Sequence, residues 1–431
     1  MRIEFHGAAK EVGRSCIELT TRQGSRFLLD IGVKFGEGGL IFPRKVLDLS
    51  HVDGTFISHA HLDHSGGLPL FEHNHLHGPI FCTAQTLEAV KILLRDSYKV
   101  ARIKHLHPAY DNGDLKQVSR DASLVVFDKW YSHKDIKFMF LNAGHIPGSA
   151  MILIELEGRR LLYTGDFNNR TTALLEHELI GSVLRERPLD ILITESTYGH
   201  RDLPDGVELE VKFIESIKKT LSEGGSIVIP TFALGRAQQI LIMLAKANLD
   251  VNIYFDGMCN KLTRRILETP SQYIRNKEIL SDFFYNKIEW VSSEKRRKDA
   301  LKNQGIFITT SGMIQGGPVL AYIKELWHDP KNKIMLMGFQ CKRTNGRNLI
   351  DEGFLYIDGW KTFVKCAVEK YDFSGHADAA GIKRLVSELR PNHVFFQHGD
   401  EESVLYLKEW ADKTIGGNNY APGIGDVFNI E

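Results

Sequence analysis

The sequence predicts an α/β protein in which one domain is inserted into another. Strand-like segments that end in polar side chains characterise the chain up to about Pro204, whereas strands and amphipathic helices alternate after it. The first pattern returns near residues 346–351. We therefore expect a first domain formed by residues 1–204 and 348–431, and an inserted α/β domain with a largely parallel sheet at residues 205–347.

Composition excludes several classes of protein. Of the 431 residues 43% are hydrophobic, enough for sizeable cores, and 54 basic residues balance 54 acidic ones, so an anionic partner must be bound by a local basic patch. The five cysteines are scattered and contain no C-x-x-C pair, which argues against a disulfide framework and indicates a reducing compartment. The amino terminus lacks a signal-peptide pattern, and no apolar run is long enough to span a bilayer. We expect a cytoplasmic protein without a membrane partner.

The chain begins with strands. Met1–Phe5 and Ser15–Thr20 alternate in hydrophobicity, and a turn leads into a third strand, Arg26–Asp30. Asp30 is a carboxylate at the end of an apolar strand, where it is costly unless it accepts hydrogen bonds. Two interpretations stay open for Asp30: it orients a metal-bound histidine, or it caps a turn.

The most informative stretch is TFISHAHLDHSGGLPL, residues 55–70. A buried strand is expected at 55–58 and a helix from Ser65, so the turn between them carries four ligand-type side chains: His59, His61, Asp63 and His64. In an extended turn the first two histidines point the same way and can bind one ion, while the Asp and the third histidine can face a second. The spacing H-x-H-x-D-H predicts half of a two-metal centre.

Further ligand types follow later strands. His145 lies on a Gly-rich turn after the strand Ile136–Leu141, and Asp166 follows the strand Arg160–Thr164. A sheet that brings these side chains and the first cluster to one edge forms a metal site, and Asp166, with two oxygens, is the natural bridge between two ions.

Within the inserted domain, PTFALGRAQQ and TTSGMIQGGP each place glycines between a strand and a helix start. Free backbone N–H groups there favour a phosphate, although such turns are also common without a ligand. The residues that we expect to contact phosphate groups of a substrate are Arg236, Ser311, Gly312, Arg343, Arg347, Ser374 and Gly375. For the run Lys295–Lys298 a solvated helix face is the expected role.

The ordered H-x-H-x-D-H, later His and later Asp resemble the metallo-β-lactamase superfamily, and three further motifs resemble its β-CASP subgroup of nucleic-acid hydrolases: TESTYG, FSGHAD and FQHGD. Leu62 stands where the flavin-linked di-iron oxygen reductases of the superfamily carry Glu, which favours hydrolysis. The resemblance implies an αββα sandwich with an inserted β-CASP domain. It also implies that His398 completes the second metal site, that His376 protonates the leaving group and that Glu195 orients His376. We take His376, Glu195, Asp30 and Asp63 as the catalytic set.

Over nearly the whole chain the likeness is strongest to archaeal cleavage and polyadenylation specificity factor-like ribonucleases that lack KH modules, which are cousins of RNase J. Two segments depart from the family pattern, VGRSC and GFQCKRTNGR. We expect these departures to affect substrate preference. The resemblance implies a two-metal hydroxide mechanism on single-stranded RNA, endonucleolytic and/or 5′-to-3′ exonucleolytic, in RNA processing or decay. It implies two Zn²⁺ per chain, with Mn²⁺ or Fe also compatible.

The same resemblance is compatible with a homodimer and with RNA-processing or exosome-type partners. Two other classes of function remain open at this point. A small-molecule metallohydrolase uses the same ion site but does not need the inserted domain or His376. A non-catalytic RNA-binding scaffold has usually lost ligands, and none is missing here.

Overall fold

The computed structural model describes residues 1–36, 39–44, 51–74, 78–103, 105–106, 108–177 and 180–431. The chain forms two compact units. The first comprises Met1–Thr171, His177–Asp202 and His376–Glu431, and the second comprises Thr172–Glu176 and Leu203–Gly375. His75, His77 and His107 lie outside the described residues.

The strands of the described chain are β1 Arg2–Phe5, β2 Ile17–Thr20, β3 Arg26–Leu29, β4 Lys34–Gly36, β5 Gly39–Ile41, β6 Gly54–Phe56, β7 Ile80–Cys82, β8 Ala122–Leu124, β9 Tyr131–His133, β10 Ile136–Asn142, β11 Ala150–Leu156, β12 Arg159–Tyr163, β13 Ile191–Glu195, β14 Ile227–Pro230, β15 Asn252–Asp256, β16 Glu289–Val291, β17 Gly305–Thr309, β18 Lys333–Met337, β19 Phe354–Ile357, β20 Trp360–Phe363, β21 Ala367–Tyr371, β22 His393–Gln397, β23 Asn418–Tyr420 and β24 Val427–Asn429. The helices are α1 Leu62–Ser65, α2 Leu68–His73, α3 Ala84–Ile103, α4 Asn112–Arg120, α5 Ser182–Arg185, α6 Gly206–Ser222, α7 Arg236–Ala247, α8 Met258–Glu268, α9 Lys277–Asn286, α10 Glu294–Ala300, α11 Val319–Leu326, α12 Asn345–Glu352, α13 Ala379–Leu389 and α14 Glu401–Thr414.

The first unit contains two seven-stranded sheets, with strand orders β24-β1-β2-β3-β6-β7-β8 and β23-β22-β13-β12-β11-β10-β9. In each sheet antiparallel strands lie on one side and parallel strands on the other. Alternate side chains of both sheets meet in one apolar cluster, in which Phe5 and Phe56 of the first sheet join Phe140 and Tyr163 of the second. The two sheets therefore pack face to face.

Helices cover the outer faces of this sandwich. The opposite face of the second sheet packs with the apolar stripes of α13 and α14, for example Leu385 and Leu407 against Phe396. Beside the first sheet, α2 and α3 bury residues at helical spacing, among them Val90 and Leu94. The layers are thus α, β, β and α, as the sequence resemblance implies.

The second unit is an α/β domain around a six-stranded sheet with the order β16-β15-β17-β14-β18-β21. Every pairing in this sheet is parallel. Both faces are apolar: Ile227 and Ile229 belong to one cluster with α7, and Val228 belongs to another with α11. The predicted inserted domain is therefore present.

Two expectations on element positions need correction. The chain returns to the first unit at His376 and not at residue 348, because β21 pairs in parallel with β18 and extends the sheet of the second unit. Two short helices, Leu62–Ser65 and Leu68–His73, replace the helix expected from Ser65, so Asp63 and His64 lie in the first of them. The terminal segment forms β24, which pairs antiparallel with β1.

Within the part of the chain that the structure describes, every helix is too short or too polar to cross a bilayer.

Candidate metal centre

The ligand-type side chains of the first unit lie at the carboxyl ends of its strands. β6 leads into His59, and Asp166 follows β12. Since β12, β13 and β22 pair in parallel, Glu195 at the end of β13 and His398 after β22 reach the same edge as Asp166. His145 lies on the turn between β10 and β11, which the Ser149 hydroxyl fixes by accepting the backbone N–H of His145 at 3.1 Å. Parallel pairing thus gathers residues that are far apart in sequence.

Two close approaches of the backbone make room for this arrangement. A Cβ on Gly32 would lie 1.6 Å from the carbonyl oxygen of Asp63, so only glycine lets β3 run against α1. Gly165 has a φ of +52°, and a Cβ there would lie 2.5 Å from the Ser58 side chain. Both glycines flank ligand residues, and they set how closely the ligand segments approach each other.

Four side chains form a first group of donor atoms. Nδ1 of His61 lies 3.2 Å from Nε2 of His59 and 3.1 Å from Nε2 of His145. Oδ2 of Asp166 lies 3.6 Å from Nε2 of His59 and 3.8 Å from Nε2 of His145. All four donor atoms therefore surround one small space.

A second group shares Asp166 with the first. Nε2 of His64 lies 3.2 Å from Nε2 of His398 and 3.3 Å from Oδ2 of Asp166. Oδ2 of Asp63 lies 3.5 Å from Nε2 of His398. The same Asp166 oxygen thus faces both groups, in the bridging position that the sequence predicts.

The donor set fits divalent cations. Two ligands bound tetrahedrally at about 2.0–2.1 Å from Zn²⁺ lie roughly 3.3–3.4 Å apart, close to the separations above. Burial lowers the pKa of His59 well below its usual range and that of His61 to about 4, so both imidazoles are neutral and can ligate. Asp166 Oδ1 is buried, has no hydrogen bond of good geometry and lies 3.1 Å from Nδ1 of His398, so positive charge beside it is favourable. The buried His/Asp cluster is therefore suited to bind metal.

Asp30 supports the second group from behind. Its Oδ2 lies 2.7 Å from Nδ1 of His64 and accepts the hydroxyls of Ser58 and Tyr163 at 2.7 Å each, while Oδ1 accepts the backbone N–H of Ser58 at 2.7 Å. The bond to His64 leaves Nε2 of that ring facing Asp166. Burial opposes protonation of His64, yet Asp166 and Asp30 raise its pKa well above the usual value. This contact favours the first interpretation of Asp30, a residue that orients a metal-bound histidine, and its place in the catalytic set stays a prediction.

Glu195 and His376 form a hydrogen-bonded pair beside the ligand groups. Nδ1 of His376 lies 2.9 Å from Oε2 of Glu195 and 3.8 Å from Oδ2 of Asp166. Oε1 of Glu195 accepts the backbone N–H of Phe167 at 2.8 Å, and Glu195 is fully buried, so its carboxylate is fixed. Burial disfavours the charged imidazole, but Glu195 and then Asp166 outweigh it and raise the pKa of His376 to about 9. These two carboxylates therefore favour the protonated imidazole of His376.

Several supporting residues escaped the sequence interpretation. Ser58 and Tyr163 contact Asp30, and Thr197 lies with its hydroxyl 3.4 Å from Nδ1 of His398. Asp378 caps α13 by accepting the N–H of Gly381 at 2.9 Å and also binds the guanidinium of Arg170. Asp378 belongs to FSGHAD, and Tyr163 ends the strand before Asp166, so both positions carried a sequence signal.

The predicted substrate-binding residues lie in the second unit, at the carboxyl ends of its parallel strands. Gly312 packs on the backbone of Thr231 and Phe232, the loop after β14, since a Cβ there would lie 3.0 Å from the Phe232 nitrogen. The amide of Gln340 donates to the Gly312 carbonyl at 3.2 Å, and the N–H of Gly346 donates to Met313 at 3.0 Å. The loops after β14, β17 and β18 therefore touch one another.

The individual side chains of this set have other partners too. Ser311 accepts the N–H of Gln315 at 3.1 Å and donates to Gly316 at 3.2 Å. Arg236 begins α7 and donates to Gln239, and Arg347 pairs with Asp351 at 2.6 Å. Arg343 is exposed with a φ of +63°. Ser374 and Gly375 are half-buried and directly precede His376 in the chain.

Comparison with known proteins places these features in a family. The model of the Beta-Casp domain matches residues 237–349, and that of the Zn-dependent metallo-hydrolase RNA specificity domain matches residues 363–422. The model of the anti-Pycsar protein Apyc1 matches residues 9–198. A protein of Methanocaldococcus jannaschii named Probable RNase MJ4 is 37% identical over 435 residues, which cover 100% of both chains. This chain belongs to the β-CASP metallo-hydrolase family.

Two further relatives and one solved structure extend the comparison. An RNase J-like protein of the same organism is 34% identical over 99% of both chains. The transcription termination factor FttA of Thermococcus kodakarensis is 32% identical over 100% of this chain and 72% of its own length. A crystal structure of a protein of unknown function from Enterococcus faecalis V583 superposes with a TM-score of 0.62 at 14% identity, covering 99% of both chains, and supports the fold.

Proposed function

We propose that this β-CASP metallo-hydrolase is a ribonuclease that hydrolyses phosphodiester bonds of single-stranded RNA in RNA processing or decay. The observation that carries the proposal is the Glu195–His376 pair, whose imidazole lies 3.8 Å from the shared Asp166 oxygen of a complete ligand set. A phosphodiester has a poor alkoxide leaving group that needs a proton, and a protonated histidine beside the metal ligands supplies one. The naming of relatives as RNases agrees with this assignment.

Different residues of this chain have different roles in the proposed hydrolysis. Glu195 accepts a hydrogen bond from the N–H at Nδ1 of His376, so the proton available to a leaving group is the one at Nε2. The backbone N–H of Phe167 donates to the second carboxylate oxygen of Glu195 and so holds the carboxylate in the orientation that His376 needs. Asp30 fixes the ring of His64 in the same way. Bound cations lower the pKa of a water molecule and neutralise the charge of the phosphate.

We further propose two Zn²⁺ per chain. His59, His61 and His145 would hold one ion, Asp63, His64 and His398 would hold the other, and Asp166 belongs to both groups of donors. Imidazole and carboxylate donors suit Zn²⁺, although Mn²⁺ or Fe has similar preferences. Elemental analysis of the purified protein distinguishes these metals and counts them.

The decisive experiment replaces His376 by alanine and leaves the metal ligands intact. We expect the His376→Ala chain to keep the metal content of the wild type and to cleave a labelled RNA about 10²–10⁴-fold more slowly, because it loses only the acid. His393→Ala is the matched control, since this histidine begins β22, whose other end leads to His398. Cleavage by His376→Ala at the rate of the control would contradict the role of His376.

The mode of cleavage follows from the same assay. We propose that the loops carrying Ser311, Gly312 and Arg343 bind phosphate, which permits 5′-to-3′ digestion from a 5′ monophosphate as well as internal cleavage. Oligonucleotides with a 5′ hydroxyl and a 5′ monophosphate separate the two modes: equal internal cleavage of both supports a purely endonucleolytic enzyme.

A homodimer, RNA-processing or exosome-type partners and a cytoplasmic location stay predictions. Light scattering of the purified chain tests the first. A small-molecule metallohydrolase is the second candidate, because the ligand set alone would serve it; hydrolysis of a thioester or lactone without cleavage of RNA would favour it.

A further inference from the structure

The β-hairpin β19–β20 exposes aromatic rings that neither the core nor the metal centre uses. Tyr356 is 48% exposed and Phe363 is 60% exposed. On the other face Leu355 and Ile357 are buried in the apolar cluster of the second unit, although Trp360, which pairs with Ile357 beside the turn, is 78% exposed. The register pairs Phe354 with Phe363 and Tyr356 with Lys361, so these four side chains share the outer face. Exposed aromatic residues grouped on one face mark an interaction surface.

We propose that this face binds single-stranded RNA by stacking bases on Tyr356 and Phe363, an inference that rests on the proposed function. The cation on this face supports RNA as the occupant. Nζ of Lys361 lies 3.8 Å from the ring centre of Phe354 and 5.3 Å from that of Phe363. Rings and a positive charge side by side are what the bases and phosphates of a single strand require.

The platform is rigid, which limits the entropy lost on binding. The turn Asp358–Gly359 has φ values of +50° and +85°, as a tight two-residue hairpin requires. Asn345 holds the strand from the side: its carboxamide accepts the N–H of Tyr356 at 2.9 Å and donates to the Tyr356 carbonyl at 3.1 Å. The rings therefore stand on a fixed backbone.

The same asparagine joins the platform to the basic loop. Asn345 begins α12, directly after the exposed Lys342 and Arg343, and its backbone N–H donates to Gln315 at 3.0 Å. Residues 342–365 contain five basic and three acidic side chains. Asp351 pairs with Arg347 at 2.6 Å, which removes one charge of each sign, and Asp358 pairs at 2.7 Å with Lys324 from outside the segment. Four basic side chains and one acidic side chain then remain. An RNA strand on the rings would thus extend along positive charge.

A second copy of the chain fits this face less well. A two-fold interface centred on the hairpin would bring Lys361 against Lys361, with Lys365 of each copy nearby, and like charges oppose such pairing. The single strand is the occupant that the charge favours.

The test measures affinity for a fluorescein-labelled 20-nucleotide polyuridine by anisotropy, in full-length metal-loaded chain carrying His376→Ala so that the RNA stays intact. We expect the pair Tyr356→Ala and Phe363→Ala to weaken binding about 10- to 100-fold, since each lost stack costs affinity. Tyr406→Ala is the matched control: Tyr406 is 46% exposed with Lys383 4.5 Å from its ring centre, in the first unit. This control should bind like the parent.

Unchanged affinity of the double variant for RNA overturns the inference. If light scattering also shows that the double variant has a smaller mass than the parent, the hairpin is an interface between copies of the chain. If circular dichroism shows that the double variant is unfolded, the exposed Lys361→Glu decides: weaker binding with a shallower salt dependence supports the inference, and parental binding contradicts it. Cleavage by the wild type is scored separately. If RNA affinity depends on the hairpin but the wild type cleaves no RNA, only the proposed ribonuclease activity is refuted. If the wild type cleaves RNA and affinity does not depend on the hairpin, only the proposed binding surface is refuted.

Discussion

Replacement of Asp30 by asparagine tests how the metal centre is built. Asn tolerates the left-handed backbone at this position, where φ is +60°, and has nearly the same volume, so the change acts on hydrogen bonding alone. Oδ2 receives His64, Ser58 and Tyr163, and Oδ1 receives the Ser58 N–H. An amide offers one acceptor, so in either orientation its NH₂ group faces at least one buried donor.

The magnitude follows from that count. A buried donor left without an acceptor costs about 1–3 kcal/mol, so the free energy of unfolding measured in urea with chelator should fall by at least this amount. Loss of the partner that orients His64 should weaken metal binding about 10- to 100-fold. Because His59, His61 and His145 do not contact Asp30, titration against a chelating dye should show one tight site remaining out of two.

Tyr163→Phe is the control for this experiment. It leaves the carboxylate of Asp30 and its bond to His64 in place, but it also removes the partner of the buried Ser15 hydroxyl at 3.1 Å. It should therefore cost about 1–3 kcal/mol and keep both metal sites. An Asp30→Asn chain that binds two metals as tightly as the wild type, with equal stability, would refute the positioning role of Asp30.

Two further predictions concern stability. Burial and then Asp121 raise the pKa of Glu72 to about 8, so the folded state keeps a proton that the unfolded chain loses near its ordinary pKa, and stability should fall between about pH 4.5 and pH 8 and then level off. The fall in the free energy of unfolding of the wild type is at most about 4–5 kcal/mol, and Glu72→Gln should not show it. The difference in unfolding free energy between Glu72→Gln and the wild type should therefore grow from pH 5 to pH 9. A difference that stays constant over this range would contradict the raised pKa. Gly32→Ala forces a Cβ to within 1.6 Å of the Asp63 carbonyl oxygen, so it should lower the free energy of unfolding by about 1–3 kcal/mol or more and weaken metal binding. Gly24→Ala is the control, because a Cβ at Gly24 meets no atom within 4 Å. Gly24 has a φ of +90°, so this variant should lose stability through backbone strain but bind metal like the wild type.

The sequence allows much of the site to be predicted because of how parallel strands are built. Short apolar runs such as Ile191–Glu195 and His393–Gln397 are recognisable locally, and the carboxyl ends of parallel strands meet at one edge. Ligand-type residues that directly follow such runs, for example Asp166 and His398, are therefore expected to converge, and the structure brings them together.

What the sequence does not reveal depends on long-range pairing. β21, Ala367–Tyr371, carries no local signal for the sheet that it joins, and its pairing with β18 moves the return of the chain from residue 348 to His376. The hydroxyl of Tyr163 reaches Asp30 across 133 residues of sequence, so its role has no local pattern. Asp30 itself left two interpretations open, and only its distance to His64 separates them.

Anomalous X-ray diffraction from metal-loaded crystals tests the central claim most directly. The account predicts two peaks, one among His59, His61 and His145 and one among Asp63, His64 and His398, with Asp166 between them. No peak at this cluster, or His398 and Asp166 turned away from the peaks, would contradict it.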